Sequence, residues 1–408
     1  MNIGNKRKSS AIIIGAGIAG PAMAIQLQNL GMNTEIFESR QGHEINQGLF
    51  LGITPNGLNV LRDFIDIEKL KEEYTPGKMI FLNAQGKNIG ELDTKYQKKK
   101  YGAETIQVKR AAISFELRKK VANRGIPLHY GKKLVQLFQN NNGVIARFAD
   151  GTEKKADFLI ACDGTHSVCR KILFPDAPKP VYTRQLSTGA FVKMDDMDQH
   201  FGAIHMTFGK KAFFAWAVSN QGDIWWFNNF YRENEPTQEE ISSKLQEEMK
   251  AYLLKIHCED PEPIYDIIEK TEEMFAYPVY EIPSLPKWYK GNICLIGDAA
   301  HATAPHIGQG ASLALEDTVV LAKFIHEQSS LIEAFEKFQQ LRQPRVEKLI
   351  QTARKVGNNK SIPNPITTFF RDLFLKHFIK MEIKKMDWIY GYTVDWKAPL
   401  QLSEIYNN

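Results

Sequence analysis

The sequence has little that would direct the protein to a membrane, a nucleic acid or an oxidising compartment. No apolar run reaches the ~18 to 20 residues that a membrane-spanning helix needs. The net charge of +5, from 52 basic and 47 acidic residues among 408, is too small to indicate nucleic-acid binding. No Ser/His/Asp constellation or metal-binding cluster stands out. The cysteines lack C-x-x-C and zinc-finger spacing, which favours a reducing, cytoplasmic compartment: Cys162, Cys169, Cys258 and Cys294.

What the sequence does contain near its start is a dinucleotide-binding pattern. Residues 9–27, SSAIIIGAGIAGPAMAIQL, follow a basic stretch, as the apolar part of a signal peptide also would. However, Gly15, Gly17 and Gly20 interrupt the apolar stretch and form G-x-G-x-x-G between a β-branched strand and a helix that ends at Gly31. The first glycine permits a tight turn, the second lets the backbone approach a pyrophosphate, and the third allows close helix–strand packing. The pattern favours a dinucleotide fold, with a signal peptide as the minor alternative.

A second strand, MNTEIFES, supports this interpretation. It ends in Glu38, about 20 residues beyond the glycines, where an acid accepts hydrogen bonds from an adenosine ribose. Arg40 follows closely and could reach the adenosine or a phosphate. No second G-x-G-x-x-G occurs near mid-chain, which excludes a reductase with two such domains.

Two later segments each place a polar turn after a buried strand. Residues 158–162 are apolar and lead into Asp163 and a glycine, and residues 293–296 lead into a glycine and Asp298. Since ligands bind at the carboxyl ends of parallel strands, both aspartates are expected at a ligand edge. The second segment continues into a glycine loop that opens a helix: Pro305, His306, Gly308, Gln309 and Gly310.

With these three motifs in this order, the sequence resembles the single-component FAD-dependent aromatic hydroxylases, built like para-hydroxybenzoate hydroxylase, over roughly residues 10–355. Within that family it resembles salicylate, 6-hydroxynicotinate and urate hydroxylases, and also the tetracycline-inactivating monooxygenases. The resemblance implies an α/β fold: a Rossmann-like FAD-binding domain with an interleaved, mostly antiparallel β-sheet substrate domain and C-terminal helices. The implied FAD-binding domain comprises 1–75, 101–178 and 287–340, the substrate domain 76–100 and 179–286, and 341–408 is a helical segment that bridges them.

The resemblance also implies which residues hold FAD. Asp163, Asp298 and Arg110 are expected contacts, and Arg110 begins a helix whose Ile113 and Leu117 face the core. The alternative for Arg110 is a surface arginine on an amphipathic helix. Backbone N–H groups of the glycine loop at 308–310 would point at the N1–C2=O edge of the flavin and stabilise the charge of its reduced form.

The substrate pocket is less well defined by the sequence. Alternation in GDIWWFNNFY places Trp225 and Phe227 on one face of a strand and Trp226 on the other, but does not determine which face meets the flavin. By resemblance to urate hydroxylases and tetracycline monooxygenases, Lys211 and Trp225 are pocket candidates. His306, beside Pro305, could accept a phenol proton as a neutral imidazole; the alternative is a surface histidine.

The function implied by the resemblance is hydroxylation of an aromatic or polycyclic phenolic or heteroaromatic ring. NADPH or NADH would reduce the flavin, O₂ would add at C4a, and the hydroperoxide would transfer one oxygen atom. The alternatives are a flavin-dependent reductase or dehydrogenase of the same fold, a tetracycline-type antibiotic-inactivating monooxygenase, and a protein that binds a polycycle without turnover. Expected partners are the ring substrate, O₂ and NAD(P)H, without nucleic acid or an integral membrane segment, in a monomer or homodimer. The basic, amphipathic segment 361–396 is expected to pack over both domains, with a membrane surface as the alternative.

Overall fold

The computed structural model describes residues 9–42, 48–71, 77–241, 246–358 and 386–400. In chain order, the strands are β1 (Ser10–Ile14), β2 (Asn33–Phe37), β3 (Phe50–Ile53), β4 (Lys78–Asn83), β5 (Asn88–Asp93), β6 (Ile106–Lys109), β7 (Leu128–His129), β8 (Leu134–Asn140), β9 (Gly143–Phe148), β10 (Glu153–Ala156), β11 (Phe158–Ala161), β12 (Val181–Lys193), β13 (Ala203–Phe208), β14 (Phe213–Val218), β15 (Asp223–Tyr231), β16 (Phe275–Glu281), β17 (Tyr289–Lys290) and β18 (Ile293–Leu295). The α-helices are α1 (Ala19–Asn29), α2 (Pro55–Leu61), α3 (Ile67–Lys71), α4 (Lys95–Tyr101), α5 (Arg110–Asn123), α6 (Val168–Leu173), α7 (Gln246–His257), α8 (Ile264–Lys270), α9 (Asp298–His301), α10 (Gly310–Glu327), α11 (Leu331–Asn358) and α12 (Asp387–Tyr390).

A six-stranded sheet carries the three sequence motifs. Its order is β17-β18-β11-β1-β2-β7, with parallel pairing except between β17 and β18. The central strands β1, β11 and β18 are short apolar runs that are buried almost throughout, as expected for parallel strands covered on both faces. Because the strands are parallel, the turns after β1, β2, β11 and β18 lie at one edge of the sheet. The Rossmann-like fold is confirmed.

A seven-stranded sheet has two unlike faces. Its order is β16-β12-β15-β14-β13-β4-β5, and all its pairings are antiparallel except β13 with β4. The outer face packs Trp226 and Phe214 against apolar side chains of α7 and α8. The inner face carries Trp225 and Phe213, which pack towards Phe50 on β3. The strand alternation predicted for this region therefore sorts the tryptophans into two different environments.

A ribbon of two antiparallel strands, β3 and β6, connects the two sheets. Ile53 and Ile106 are buried in the core of the six-stranded sheet. Phe50, at the other end of β3, contacts the inner face of the seven-stranded sheet. A separate three-stranded sheet, β10-β9-β8, lies beside the six-stranded sheet, with Val144, Ala146 and Phe148 in the same core. The predicted domain boundaries remain a prediction.

The C-terminal segment packs partly where the sequence predicts. Helix α11 continues through Pro344, and the aromatic residues around α12 pack onto the core of the six-stranded sheet. The Arg345 guanidinium lies 4.0 Å from the ring centroid of Tyr392. Residues 361–385, which carry most of the amphipathic prediction, lie outside the described residues. Within the part that the structure describes, no helix is both long and apolar enough to cross a membrane.

Candidate active site

Three glycines shape the junction of β1 and α1. Two of them allow close backbone contacts, and the third borders open space. Gly15 has φ +103°, and a Cβ there would lie 2.4 Å from the carbonyl oxygen of Cys162. A Cβ at Gly20 would lie 1.9 Å from the carbonyl oxygen of Gly15, so only glycine allows this helix to approach the strand. A Cβ at Gly17, by contrast, would meet no heavy atom within 4 Å. Gly17 therefore borders open space at the N-terminus of α1, where a phosphate can approach the backbone.

Glu38, at the carboxyl end of β2, folds back onto this turn. Its Oε2 accepts a hydrogen bond from the backbone N–H of Ala16 at 2.8 Å. Its Oε1 accepts from the Arg40 N–H at 2.9 Å and from the Ser39 hydroxyl at 3.2 Å. A carboxylate has about four acceptor positions, so Glu38 can still accept a hydrogen bond from a ribose hydroxyl. The glycine turn and the acid are thus brought together as the spacing predicts.

The Asp163 carboxylate forms hydrogen bonds within the turn that follows β11. It accepts from the Ser167 hydroxyl at 2.6 Å and from the backbone N–H of Cys169 at 3.0 Å. Gly164 beside it has φ +77°. These bonds fix the start of α6 at the ligand edge of the sheet. A direct contact between Asp163 and the cofactor remains a prediction.

Arg40 and Arg110 approach the same tyrosine of the seven-stranded sheet. Arg110 begins α5, as predicted, and both guanidinium groups are exposed. Burial raises the pKa of the Tyr277 hydroxyl, and the positive charges of Arg110 and Arg40 partly oppose that rise. Arg110 and Tyr277 both lie beside Gly48, since a Cβ there would be 3.7 Å from the Tyr277 hydroxyl oxygen and 4.0 Å from the Arg110 Cδ.

Asp298 and the glycine loop border open space at the same edge. Asp298 begins α9 directly after Gly297, whose φ is +57°. Its partly exposed carboxylate has no hydrogen-bond partner among the described residues. A Cβ at Gly308 or Gly310 would meet no heavy atom within 4 Å, and no side chain caps the N-terminus of α10. A free carboxylate and an uncapped helix with an unobstructed backbone fit a flavin cofactor that carries hydroxyl groups and an electron-rich edge.

A buried ion network lies beneath this loop. Glu316 and Asp317 on α10 and Arg342 on α11 are fully buried, and Arg345 nearly so. Arg342 donates to Glu316 at 2.6 Å and to Asp317 at 2.8 Å, and Arg345 donates to both oxygens of Glu316 at 2.7 and 2.9 Å. Asp317 also accepts from the backbone N–H of Gly297 at 2.8 Å. The network thereby ties the turn that carries Asp298 to two helices.

The network also holds both acids in their charged form. Burial alone would raise the pKa of Glu316, but the charges of Arg345 and Arg342 outweigh it and the pKa is lowered. Burial would also raise the pKa of Asp317, but His301 and Arg342 outweigh this effect and the pKa is lowered. Paired ions of this kind cost a great deal when one partner is removed.

Hydrogen bonds of amide and hydroxyl side chains extend the network from the glycine loop to β3. The Gln309 amide donates to the Thr54 hydroxyl at 2.8 Å and accepts from the Asn56 amide at 3.0 Å. Asn56 also donates to Glu316 at 2.6 Å. Thr54 follows β3 directly, so the strand that carries Phe50 at one end is anchored to the glycine loop at the other. Gln309 is predicted as part of the glycine loop. Its side chain is buried, and these hydrogen bonds hold the loop in place.

The inner face of the seven-stranded sheet forms an aromatic surface. The Phe50 ring centroid lies 5.5 Å from that of Trp225 and 5.8 Å from that of Phe227. Phe191, opposite Trp225 on β12, lies 5.6 Å from it. A cavity opens between these rings and β6, lined by Phe50, Gln107, Ile204, Ala215, Trp216, Ala217, Trp225 and Phe227. Trp225 and Phe227 are thus brought together on the face that meets the ribbon.

Lys211 is not brought to this cavity. It lies exposed in the turn between β13 and β14. The side-chain hydrogen bond from Lys210, and more weakly the charge of Lys211, lower the pKa of Glu259, which lies between α7 and α8. Those helices cover the outer face of the sheet. A role for Lys211 in substrate binding remains a prediction.

A different lysine does face the aromatic surface. Lys109, the last residue of β6, has its Nζ 5.2 Å from the ring centroid of Phe191 and 5.3 Å from that of Trp225. The sequence reasoning missed it and Gln107, although the pattern IQVK contained the signal: Ile106 and Val108 are buried, so the other two residues share the opposite face. Pro305 and His306 lie in a 3-10 turn before the glycine loop. The His306 side chain lies outside the described part of the structure.

Comparison with known proteins agrees with this geometry. The chain is 26% identical over 355 residues to an FAD-dependent urate hydroxylase of Klebsiella oxytoca, with 85% of this chain and 88% of the relative covered. It is 28% identical over 334 residues to a 6-hydroxynicotinate 3-monooxygenase of Pseudomonas fluorescens, with 77% and 82% covered. Its fold is similar to that of Klebsiella pneumoniae HpxO complexed with FAD and uric acid, with a TM-score of 0.84, 21% identity, and 96% and 99% covered.

The family assignment rests on a sequence profile described as "FAD binding domain", which matches residues 8–353. This match spans all three motifs and confirms the resemblance drawn from them. The chain belongs to the FAD binding domain family.

Proposed function

We propose that the protein is an FAD- and NAD(P)H-dependent monooxygenase that hydroxylates an aromatic or polycyclic phenolic or heteroaromatic compound. The observation that carries this proposal is the connection made by β3. Thr54 at its end bonds to Gln309 of the glycine loop, and Phe50 at its start contacts Trp225 and Phe227. Four strand residues span about 13 Å, so the glycine loop proposed to bind the flavin and the aromatic surface proposed to bind the ring are a short, fixed distance apart.

When bound, FAD supplies the redox chemistry, with a hydride from NAD(P)H and oxygen from O₂. The chain would bind FAD through the open backbone at Gly17, the remaining acceptor position of Glu38, and the carboxylate of Asp298. The N–H groups of the 308–310 loop are the donors we assign to the flavin edge. Because the Gln309 side chain is bonded to Thr54 and Asn56, the loop is held in place and these donors can stabilise negative charge without reorganising.

The remaining steps that we assign concern the ring substrate. Trp225 and Phe227 offer an apolar surface that orients a planar ring and excludes water. We assign to His306, in the turn that Pro305 begins, the acceptance of a proton from a ring hydroxyl, which makes the ring more nucleophilic. Asp163, Arg40 and Arg110 are proposed to contribute to FAD binding, and Lys211 to substrate binding.

The proposal extends to partners and location. The co-substrates are O₂ and NADPH or NADH, the active species is a monomer or homodimer, and the location is cytoplasmic. Free thiols at all four cysteines are consistent with a reducing compartment.

The test is NADH and NADPH oxidation by the purified, FAD-loaded protein, alone and with salicylates, hydroxypyridines, purines and tetracyclines, with products analysed by mass. We expect at least one compound to accelerate the oxidation and to gain one oxygen atom. Accelerated oxidation with no oxygen gained by any compound would favour a reductase. A protein that cannot be loaded with FAD would contradict the proposal outright.

A further inference from the structure

Lys109 places a half-buried positive charge over the aromatic surface of the seven-stranded sheet. Its side chain leaves the end of β6 on the face opposite the buried Ile106 and Val108. Its ammonium lies over the rings of Phe191 and Trp225, two residues that are directly opposite each other on neighbouring strands. The position of the ammonium is therefore defined by the ribbon of β3 and β6 together with the seven-stranded sheet.

The aromatic rings do not neutralise this charge. A cation over an aromatic face gains about 0.5–2 kcal/mol, less than an ammonium gains from a hydrogen-bonded anion. Among the described residues no carboxylate pairs with Lys109. The buried acids Glu316 and Asp317 are already paired with Arg342 and Arg345.

Arg110, the neighbouring cation, points to a different part of the molecule. Arg110 begins α5 and lies near Tyr277 on β16, whereas Lys109 points at β12 and β15. Two adjacent residues thus place one positive charge beside Tyr277 and one over the aromatic surface. Gln107, two residues before Lys109, lines the cavity and adds an amide on the same face.

We propose that Lys109 determines substrate specificity by selecting rings that carry an anionic oxygen over neutral rings of the same shape. The anionic oxygen is that of a carboxylate or of an ionised ring hydroxyl, and both would replace water at the ammonium with a charge-assisted hydrogen bond. This inference rests on the proposed function, because it concerns the substrate of that same site.

The test is a binding titration followed by the change in flavin absorbance of the FAD-loaded protein, which requires no turnover. The probes are 6-hydroxynicotinate against 6-hydroxynicotinamide and salicylate against salicylamide, which differ in the carboxylate, and urate, whose anion is part of the ring system. The variants are Lys109→Met, which keeps the length and loses the charge, Lys109→Arg, which keeps the charge, and Lys211→Met. Lys119→Met, at an exposed position of α5, is the matched control.

We expect the wild type to bind at least one anionic probe, and Lys109→Met to weaken that binding on the order of tenfold. Binding of the matching amide should change less than about threefold, and Lys109→Arg should recover most of the affinity. A loss confined to the acid–amide pairs identifies a carboxylate, and a loss with urate identifies a ring anion. Equal losses for acid and amide, a loss in Lys211→Met alone, or a wild type that binds no anionic probe would overturn the inference. Failure of the proposed function is distinct: anions bind selectively, yet no product gains oxygen.

Discussion

On the six-stranded sheet the candidate site consists of backbone turns and buried ion pairs, whereas on the seven-stranded sheet it consists of side chains from one face. The turn at Gly15, Gly17 and Gly20 is defined by close backbone approaches, and the loop at 308–310 by the network of Arg342 beneath it. The aromatic surface depends instead on which side of β15 faces the ribbon. On the cofactor side we therefore expect one added methyl group to alter folding or FAD binding. On the ring side we expect substrate binding to depend mainly on the shape and charge of the side chains.

The largest effect is expected at the glycine turn, where two substitutions should fail differently. Gly20→Ala should prevent folding, because its Cβ would lie 1.9 Å from the Gly15 carbonyl oxygen. Gly17→Ala should leave the Tm of the apoprotein within about 2 °C of the wild type, because its Cβ meets no protein atom. It should nevertheless weaken FAD binding by about 100-fold or more, because the methyl group occupies the space where the pyrophosphate approaches.

The measurements are thermal unfolding of the apoproteins and FAD titration. Unchanged FAD affinity in Gly17→Ala would mean that the phosphates do not approach this turn.

The next effect is expected in the buried network. Arg342→Met should lower the free energy of unfolding by about 3–5 kcal/mol, because it leaves Glu316 and Asp317 buried with fewer partners. Arg354 lies on the same helix as Arg342 and forms an exposed pair with Glu281 of β16, so Arg354→Met should cost less than about 1 kcal/mol. Denaturant unfolding measures both, and similar losses in the two variants would show that the network is not the anchor of the loop.

A smaller contrast is expected between the two faces of β15. Trp226→Phe should lower the free energy of unfolding by about 1–3 kcal/mol, because the buried indole donates to the Thr271 hydroxyl at 3.0 Å and packs against α7 and α8. Trp225→Phe enlarges the cavity that Trp225 lines but keeps an aromatic ring against Phe50 and Phe191, so we expect it to cost less than Trp226→Phe.

The ring side should show the reverse order. Trp225→Phe should change the KM for the ring substrate several-fold, and Trp226→Phe should leave it within about twofold. Unfolding curves and steady-state kinetics of the two variants check this, and an equal effect on KM would contradict the assignment of the faces.

The smallest effect is a pH dependence that vanishes near neutrality. The pKa values of Glu316 and Asp317 are lowered from ordinary values of 4.5 and 3.8, so these groups stabilise the fold fully above about pH 4.5. That stabilisation should be lost as the pH falls through the lower folded pKa values. The decline of Tm with acid should therefore be steeper in the wild type than in Arg342→Met, and parallel declines would refute the charge pairing.

Much of the cofactor side could be predicted from the sequence, because its rules are local. Gly15 and Gly20 are required by backbone geometry, and Glu38 follows at a spacing set by one helix and one strand. The partners beneath the loop could not be found this way. Arg342 lies on a later helix, and only the packing of α10 against α11 brings it to Glu316.

On the ring side, only the alternation of side chains along β15 could be predicted from the sequence. Period two separates Trp225 from Trp226, but the choice of inner face depends on where α7 and α8 dock. The resemblance suggested a cation at Lys211, whereas the structure places Lys109 over the rings. The reason is that β6 belongs to a ribbon whose pairing with β3 is invisible in a single sequence.

The most direct test of the central claim is the origin of the oxygen atom in the product. The FAD-loaded protein, with NAD(P)H and the compound that best accelerates its oxidation, is run under ¹⁸O₂ in ordinary water and the product is analysed by mass. The account expects one ¹⁸O atom in the ring product, and much less of that product from Gly17→Ala at an FAD concentration that just saturates the wild type, because that variant should bind FAD more weakly. A product that takes its oxygen from water, or NAD(P)H oxidation that never yields labelled product from any ring, would contradict it.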